Sequence, residues 1–377
     1  MEKSSTNVRE LDYQDKRMIQ EFLDLPYRIY SGSSVWVPPL LDDIRRMMNR
    51  SRHPFYRYGD AAFYIALEDG KAVGRLAVLD NRNYNNFNRE STAFFYLFEC
   101  ENDYQTACKL FEAAFEWARR RGLEKIQGPR GFSVFDGLGM LVRGFEHRPA
   151  FGLPYNPPYY PELVEKCGFH SKGNILSGYL DQNLQFPERL IRAADLIKER
   201  RGLKVRPFKS RTEIMRLIPY LKDLYNSAFS AGEDNIPLTD EDVKLLAKQM
   251  LWFADPKLIK IVEKDHKPVG FLLAYPDVSA GLQKARGKLF PLGWIYIVQD
   301  LFRTKWININ GAGMLPGYRG LGGTTLLFSE MYKSVKQSRY RYADLVQIGA
   351  ENDKMLREMR HFGVNFYKTH RIYERML

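Results

Sequence analysis

The stretch Asn310–Thr325, NGAGMLPGYRGLGGTT, decides how the rest of the chain is read. It follows a short strand-like run, Trp306–Ile309, and carries glycines at 317, 320, 322 and 323. Beyond it, Leu326, Leu327, Met331 and Val335 share one face of a helix predicted from about Gly322 to Lys336. The unit is therefore strand, glycine-rich turn, helix. Glycine permits positive φ and lets a ligand approach the main chain closely. The first amides of a helix lack intrahelical partners, and with the helix dipole they make an anion site. Arg319 adds a full positive charge beside them. No Lys-Ser/Thr pair follows the glycines, which argues against nucleoside-triphosphate hydrolysis.

Working outward, the segments downstream read as strand Ala343–Ile348, helix Asn352–Phe362 and strand Arg371–Glu374. Upstream, Lys260–Tyr275 alternates as a β-hairpin. A similar hairpin, Tyr64–Val78, stands far earlier. Lys71, Val73 and Gly74 match Lys267, Val269 and Gly270 at an offset of 196 residues. The helix ends at Cys167-Gly168-Phe169 and Phe362-Gly363-Val364 match at an offset of 195. Two features at nearly constant offset point to a duplicated unit. The first copy continues with strand Ala93–Cys100, helix Tyr104–Arg120 stopped at Gly122, strand Lys125–Gly128, helix Pro161–Lys166 and strand Leu176–Leu180. A helix over Pro187–Arg201 links the copies. The expected division is residues 1–182 and 183–377. Both copies have the order hairpin, strand, helix, strand, helix, strand, which predicts a mixed α/β layer structure with helices on a central sheet.

The glycine turn, with the elements around it, resembles the GNAT superfamily of acetyltransferases, in a tandem two-domain form known from bacterial proteins. The residues that carry the resemblance are Leu315-Pro316-Gly317-Tyr318-Arg319-Gly320-Leu321-Gly322-Gly323-Thr324, followed by Gln347–Asn352 and Gly363. It implies two acyl-CoA N-acyltransferase-like domains and acyl transfer from acetyl-CoA, or a longer acyl-CoA, to an amine. By motif match the diphosphate of CoA would rest on the amides of Leu321–Thr325, beside Arg319 and Gly320. The pantetheine arm would pair with Gly311–Leu315, including Gly313 and Met314, and Asn352 would complete the coenzyme set. The sequence departs from the pattern in three places. Thr324 stands where glycine or alanine is usual. Met359 stands where many members carry a tyrosine that protonates the leaving thiolate. Asn308 and Asn310 stand where a catalytic base is expected. His361 and Tyr367 are the candidate catalytic residues, with His370 and Tyr373 also near in sequence.

The first copy runs from Glu99 through Cys100-Glu101-Asn102-Asp103 straight into its helix, with no glycine turn. Three acids at that place would repel a diphosphate. This copy is therefore expected to serve as scaffold or substrate platform. It carries a long loop, Gly128–Tyr160, in which glycine, proline and aromatic residues alternate without regular period. Asp136, Arg143, Glu146, His147, Asn156, Tyr159 and Tyr160 are candidate substrate contacts, and the loop resembles stretches in bacterial acetyltransferase-like proteins.

Composition bounds the remaining choices. The 377 residues are 45% apolar, enough for two cores, and the formal net charge is +12. That balance suits phosphates, RNA or an acidic lipid surface. No apolar run approaches the roughly 20 residues of a membrane helix, and Met1–Asp12 has no leader pattern. Cys100, Cys108 and Cys167 have no metal-type spacing and read as buried thiols, which places the chain in the cytoplasm with no metal. The partner is expected to be a small-molecule or peptide amine. Two other readings fit less well: an aminoacyl-tRNA-dependent transferase of the peptidoglycan-bridge type, suited by the basic charge, and a non-catalytic CoA- or ligand-binding module.

Overall fold

Both predicted hairpins form, and their strands are apolar enough to be buried on both faces of a single sheet. The structure is a computed structural model that describes residues 6–181, 183, 186–229 and 235–377, with only the backbone at 246–252. The first half supplies strands β1 (Asn7–Glu10), β2 (Gly59–Glu68), β3 (Lys71–Asn81), β4 (Thr92–Cys100), β5 (Lys125–Gly128), β6 (Met140–Arg143) and β7 (His170–Asp181). Its helices are α1 (Lys16–Ile29), α2 (Leu41–Met48), α3 (Arg82–Asn88), α4 (Tyr104–Arg119) and α5 (Tyr160–Lys166). The link α6 (Glu188–Arg201) leads to strands β8 (Leu203–Arg206), β9 (Ile259–Lys264), β10 (Lys267–Pro276), β11 (Trp306–Met314), β12 (Tyr342–Gly349) and β13 (Asn365–Met376). The helices of this half are α7 (Arg211–Met215), α8 (Ile218–Phe229), α9 (Asp240–Phe253), α10 (Ser279–Ala285), α11 (Gly293–Arg303), α12 (Gly323–Lys336) and α13 (Asp353–His361).

The strand order is β1-β2-β3-β4-β5-β13-β7-β12-β11-β10-β9-β8, with β6 against β13. Each half is thus closed by the other's last strand. The C-terminal β13 pairs antiparallel with β5, from Tyr373 opposite Gly128 to Met376 opposite Lys125. The first half's β7 pairs antiparallel with β12, from Tyr342 opposite Asp181 to Gly349 opposite Ile175. Along the seam the two exchanged strands pair with each other, from Asn365 opposite Tyr179 to Glu374 opposite His170. The sequence predicts both closing strands, over a shorter span, and places each in its own half. The exchange arises because alternation fixes which face a residue takes and leaves open which edge it joins.

Packing follows the exchange. In the first core, α4 lays Leu110, Phe111, Ala114 and Phe115 over Phe95 and Ile126, and the fully buried Tyr373 comes from the far end of the chain. In the second, α12 lays Leu326, Leu327 and Met331 over Leu272, Ala274, Ile307, Ile309 and Leu345. Each fully buried large side chain contributes about 1.5–3 kcal/mol.

Two expectations are corrected. Cys108 on α4 and Cys167 at the end of α5 form a disulfide with a Cα–Cα separation of 5.3 Å, and only Cys100 is a buried free thiol. The pair is 59 residues apart in sequence and meets only because α5 folds back on α4. The cytoplasmic placement loses the support that three free thiols gave it. The Gly128–Tyr160 loop, read as aperiodic, contains the short strand β6 on the seam. Among the described residues, no helix is long and apolar enough to cross a membrane.

A break in the chain at the expected boundary near residue 182 leaves each half without its own closing strand. A protease site inserted there should yield two fragments that co-elute as one particle on size exclusion in native buffer. Separate elution of folded fragments would contradict the exchange.

Candidate functional site

Strands β11 and β12 run parallel and pair only from Trp306 opposite Tyr342 to Ile309 opposite Leu345. Past that point they part. Gly311 takes φ +100°, and the β10–β11 register shifts beside it, so Asn310–Met314 bends away from β12. On the other side, Gln347 takes φ +56° and the β12–β7 register shifts between Leu345 and Ile348. The result is an opening between two strands with main-chain groups along its β11 edge.

At the mouth of this opening stands the glycine turn. Pro316–Tyr318 makes one 3₁₀ turn, Gly320 takes φ +74° and Gly322 takes φ +85° as the residue before α12. The first bond of the helical ladder runs from Leu326 N to Gly322 O, leaving the amides of Gly320–Thr325 outside it. No side chain caps α12, and its first turn holds no acid. Side chains at Gly317 or Gly320 would meet open space. At Gly323, by contrast, a Cβ would strike the Met314 sulfur, so glycine there lets the helix sit down on the strand.

The matching corner of the first half is filled. Strands β4 and β5 pair only from Thr92 opposite Lys125 to Phe94 opposite Gln127, and Leu97 takes φ +52° where β11 has Gly311. Into this opening Tyr160 turns its hydroxyl, which accepts from Cys100 N (2.9 Å) and donates to Glu99 Oε2 (2.8 Å). Tyr30 donates to the same carboxylate at 2.9 Å, and Tyr159 donates to Cys100 O at 2.9 Å. Arg75, buried, lies 3.7 Å from Glu99. Asp103 caps α4, accepting from Gln105 N (3.2 Å) and Thr106 Oγ1 (2.8 Å). One helix start is closed by its own carboxylate and the other is open.

A polar face lies beside the open site. Register aligns Tyr275, Asn308, Asp344 and Tyr179 in one row across β10, β11, β12 and β7. Paired residues share a face, the one opposite α12. A bulge between Phe366 and Lys368 in β13 lets both Tyr367 and Lys368 reach Asp344 Oδ2, at 2.7 and 2.9 Å. Asp277, just past β10, accepts from Asn308 Nδ2 (2.9 Å), Ser279 Oγ (3.1 Å) and Phe151 N (3.1 Å). The first half's long loop roofs this face: Arg148 O accepts from Lys368 Nζ (2.8 Å), and Pro154 O lies 3.1 Å from His370 Nε2. Gln347 clasps the Leu138 main chain through its amide at 2.6 and 3.3 Å.

The electrostatics follow from burial. Burial raises the Asp344 carboxyl above its usual value, while Lys368 opposes the rise. Burial, then the neighbouring Asp344, pushes the Tyr367 hydroxyl far up, so it stays protonated and donates. Burial pulls His370 down to about 4, so at neutral pH the ring is neutral. With Nε2–H assigned as donor to Pro154 O, Nδ1 is left as an acceptor. Asn308 Oδ1, Asp344 Oδ1 and His370 Nδ1 are all buried and have no hydrogen-bond partner among the described residues. Each such orphan costs about 1–3 kcal/mol, and a cluster of them on one face points to a missing ligand or water.

The sequence-predicted residues separate accordingly. Gly313 lies on the open strand against Ala228 and Phe271, and Met314 is buried beneath Gly270 and Gly323. Leu315 N donates to Val269 O, the counterpart of Glu101 N donating to Val73 O. Arg319 is exposed and spends donors on Ala228 O (2.6 Å) and Met314 O (3.4 Å), tying α8 to the turn. Asn352 caps α13 by accepting from Met355 N at 3.1 Å. His361 ends that helix, exposed, while Tyr367 joins the polar face. Asp136 accepts from Ser133 N at 2.8 Å, and burial raises it to about 6. Asn156 clamps Leu141 from both sides, at 2.7 and 3.1 Å, so its amide shapes the loop. Tyr159 and Tyr160 fill the first half's opening. The acids Asp277 and Asp344 and the cation Lys368 were not picked out from sequence. The available signal was Asp344, one of two polar residues with Gln347 in the apolar run Ala343–Ile348.

No established protein-family profile matches the chain. It is similar to the bacterial ceramide synthase of Caulobacter vibrioides, 25% identical over 375 residues, covering 95% of each chain. It is similar to protein YghO of Escherichia coli, 22% identical over 371 residues, covering 96% of this chain and 94% of that one. Among solved structures it superposes on a tandem GNAT protein of the clavulanic acid biosynthesis pathway with a TM-score of 0.56 and 12% identity, covering 99% and 98% of the two chains. A GCN5-related N-acetyltransferase from Sphaerobacter thermophilus superposes with a TM-score of 0.53 and 13% identity, covering 98% and 95%. The chain has the tandem GNAT fold, with the mixed α/β architecture the sequence predicts.

The depressed His370 gives a pH prediction. The unfolded ring binds a proton near pH 6.5 and the folded one only near 4, so stability is lost as pH falls through that window. The full effect of this shift is on the order of 3 kcal/mol. Asp136 works in the opposite sense between about pH 4 and 6, so the wild-type slope mixes both. Urea unfolding of wild type and His370→Gln at pH 7 and pH 4.5 isolates the histidine. The wild type should lose more stability than the variant on acidification, and equal losses would show that His370 titrates normally.

Proposed function

We propose that the chain is an acyl-CoA-dependent N-acyltransferase whose donor is held by the second half. The observation that carries this reading is the contrast between two helix starts on one plan. At α4 the carboxylate of Asp103 accepts from the Gln105 amide, and at α12 no side chain caps the amides of Gly320–Thr325 beside an open strand edge. Oriented amides at a helix start suit a diphosphate. The splayed edge of Asn310–Met314 offers main-chain groups to an extended pantetheine arm, in the manner of an added strand. Bound acyl-CoA would supply an activated thioester carbonyl. Acetyl-CoA is the donor that the fold suggests.

The residues of the polar face suit the acceptor. An amine that attacks a carbonyl must lose a proton. Asp344 Oδ1, buried and unpartnered, is the candidate to accept it, and Lys368 opposes the rise that burial imposes on that carboxyl. Tyr367 donates its only hydroxyl proton to the same carboxylate and so orients Asp344, and the proton that Asp344 takes from the amine passes on to the leaving thiolate. Ceramide is an amide of a long-chain amino alcohol, so the relative from Caulobacter suggests a long-chain amine as acceptor here. The cytoplasm, where acyl-CoA is made, is the compartment this reading requires.

Calorimetry tests the donor site. CoA should bind with a Kd below about 1 mM, and Thr324→Asp should weaken it about tenfold or more, since a carboxylate at the helix start competes with the diphosphate while suiting the helix dipole. No binding by the wild type would end the proposal. For the acceptor side, Asp344→Asn should lower kcat by about 10²-fold or more. Removing one partner of a buried ion pair also costs about 3–5 kcal/mol, so the Asp344→Asn, Lys368→Met double variant serves as the folded control. Full activity in that double variant would remove Asp344 from the chemistry.

A further inference from the structure

The connection between the third and fourth strands of each copy differs greatly in length. It is 82–91 in the first half and 277–305 in the second. The longer one carries α10 and α11. Helix α10 buries Ser279, Gly281, Leu282 and Ala285, whereas α11 buries none of its side chains. Eleven large apolar side chains are exposed among the described residues, and five of them fall in this one stretch: Phe290 (78%), Leu292, Trp294, Tyr296 and Phe302 (71%). The rest are scattered, so this is the molecule's one concentrated apolar surface among the described residues.

The stretch is held firmly in place. Asp300 accepts from Gly281 N at 2.7 Å, locking α11 onto α10. Tyr27 donates to Arg286 O at 2.8 Å, Gln283 donates to Trp36 O at 2.8 Å, and Leu41 N donates to Gly287 O at 3.0 Å, fixing the insert to the first half. The apolar side chains therefore point outward from a rigid mount. Around them stand exposed Lys284, Arg286, Lys288, Arg303 and Lys305. The single acid between 279 and 305 is Asp300, half-buried with its carboxylate turned onto the Gly281 amide.

We infer that this face, Phe290–Phe302 with its basic rim, docks on an anionic lipid bilayer. Tryptophan, tyrosine and phenylalanine beside lysine and arginine are the side chains that settle at a headgroup boundary, and a helix of this kind lies in the interface plane. The charge complements acidic headgroups, because exposed Lys284, Arg286, Lys288, Arg303 and Lys305 share this short stretch with the exposed apolar residues and the one acid there is half-buried. The insert begins at Asp277 and Ser279, whose hydrogen bonds tie it to the polar face. The lipid surface would then be the source of a long-chain amine; that consequence rests on the acyltransferase reading, and bilayer binding itself does not.

Vesicle co-sedimentation of the full chain tests it, without CoA or acceptor. The wild type should bind vesicles of equal parts phosphatidylglycerol and phosphatidylcholine, and bind pure phosphatidylcholine more weakly. The Phe290→Ser, Leu292→Ser, Phe302→Ser variant should lose roughly tenfold or more in partitioning. Lys288→Glu with Arg303→Glu should lose binding on the anionic vesicles specifically. Equal partitioning of wild type and both variants, or no binding by the wild type, overturns the assignment. So does a wild-type dimer that the serine variant converts to a monomer, which would make the face a contact between copies. Vesicle binding in a chain that fails to bind CoA would uphold the docking surface while the acyltransferase reading falls.

Discussion

Antiparallel pairing of β7 with β13, from Asn365 opposite Tyr179 to Glu374 opposite His170, is the constraint on which the rest of the molecule depends. Backbone amides and carbonyls at the centre of a sheet must be paired. Here the pairing is supplied only if each half lends its last strand to the other. The exchange brings Tyr373 into the first core and sets Lys368 against Asp344. Two copies of one unit thereby become one sheet whose centre belongs to both.

From that seam the two copies diverge by what fills equivalent openings. Both have a strand that bends away from its parallel neighbour through a residue at positive φ, Leu97 in one and Gly311 in the other. Both have a helix beginning just beyond. In the first copy tyrosine hydroxyls bond the Cys100 main chain and Asp103 accepts from the Gln105 amide. In the second, glycines replace those side chains. Leaving amides unpaired is tolerable at a surface, where water satisfies them, and it is what a diphosphate needs.

The loop 128–160 joins the copies functionally. It belongs to the first by chain order, yet it clasps Gln347 and covers Asp344, Lys368 and His370 in the second. Burying an ion pair is expensive, and orphaned polar atoms add to the cost. The fold sustains this because the roof, β7 and β13 hold the groups from three sides.

The hairpins, the glycine turn and the helix faces were legible in the sequence, because each depends on local spacing: alternation for a strand, three-to-four spacing for a helix, glycine where φ is positive. The turn Arg319–Thr325 and the missing turn after Glu99 could be read the same way, since capping is decided within a few residues. Asn352 caps its own helix by a bond to Met355, which is local, whereas the clamp of Asn156 on the Leu141 main chain is a contact only the folded loop makes. The disulfide, the strand exchange and the pairing of Asp344 with Lys368 could not be read, although Asp344 in a mostly apolar strand and Tyr367 were visible as single residues. Each joins residues whose separation in the chain carries no information about their separation in space. Periodicity tells a side chain which way to face, and only packing tells it what it will face.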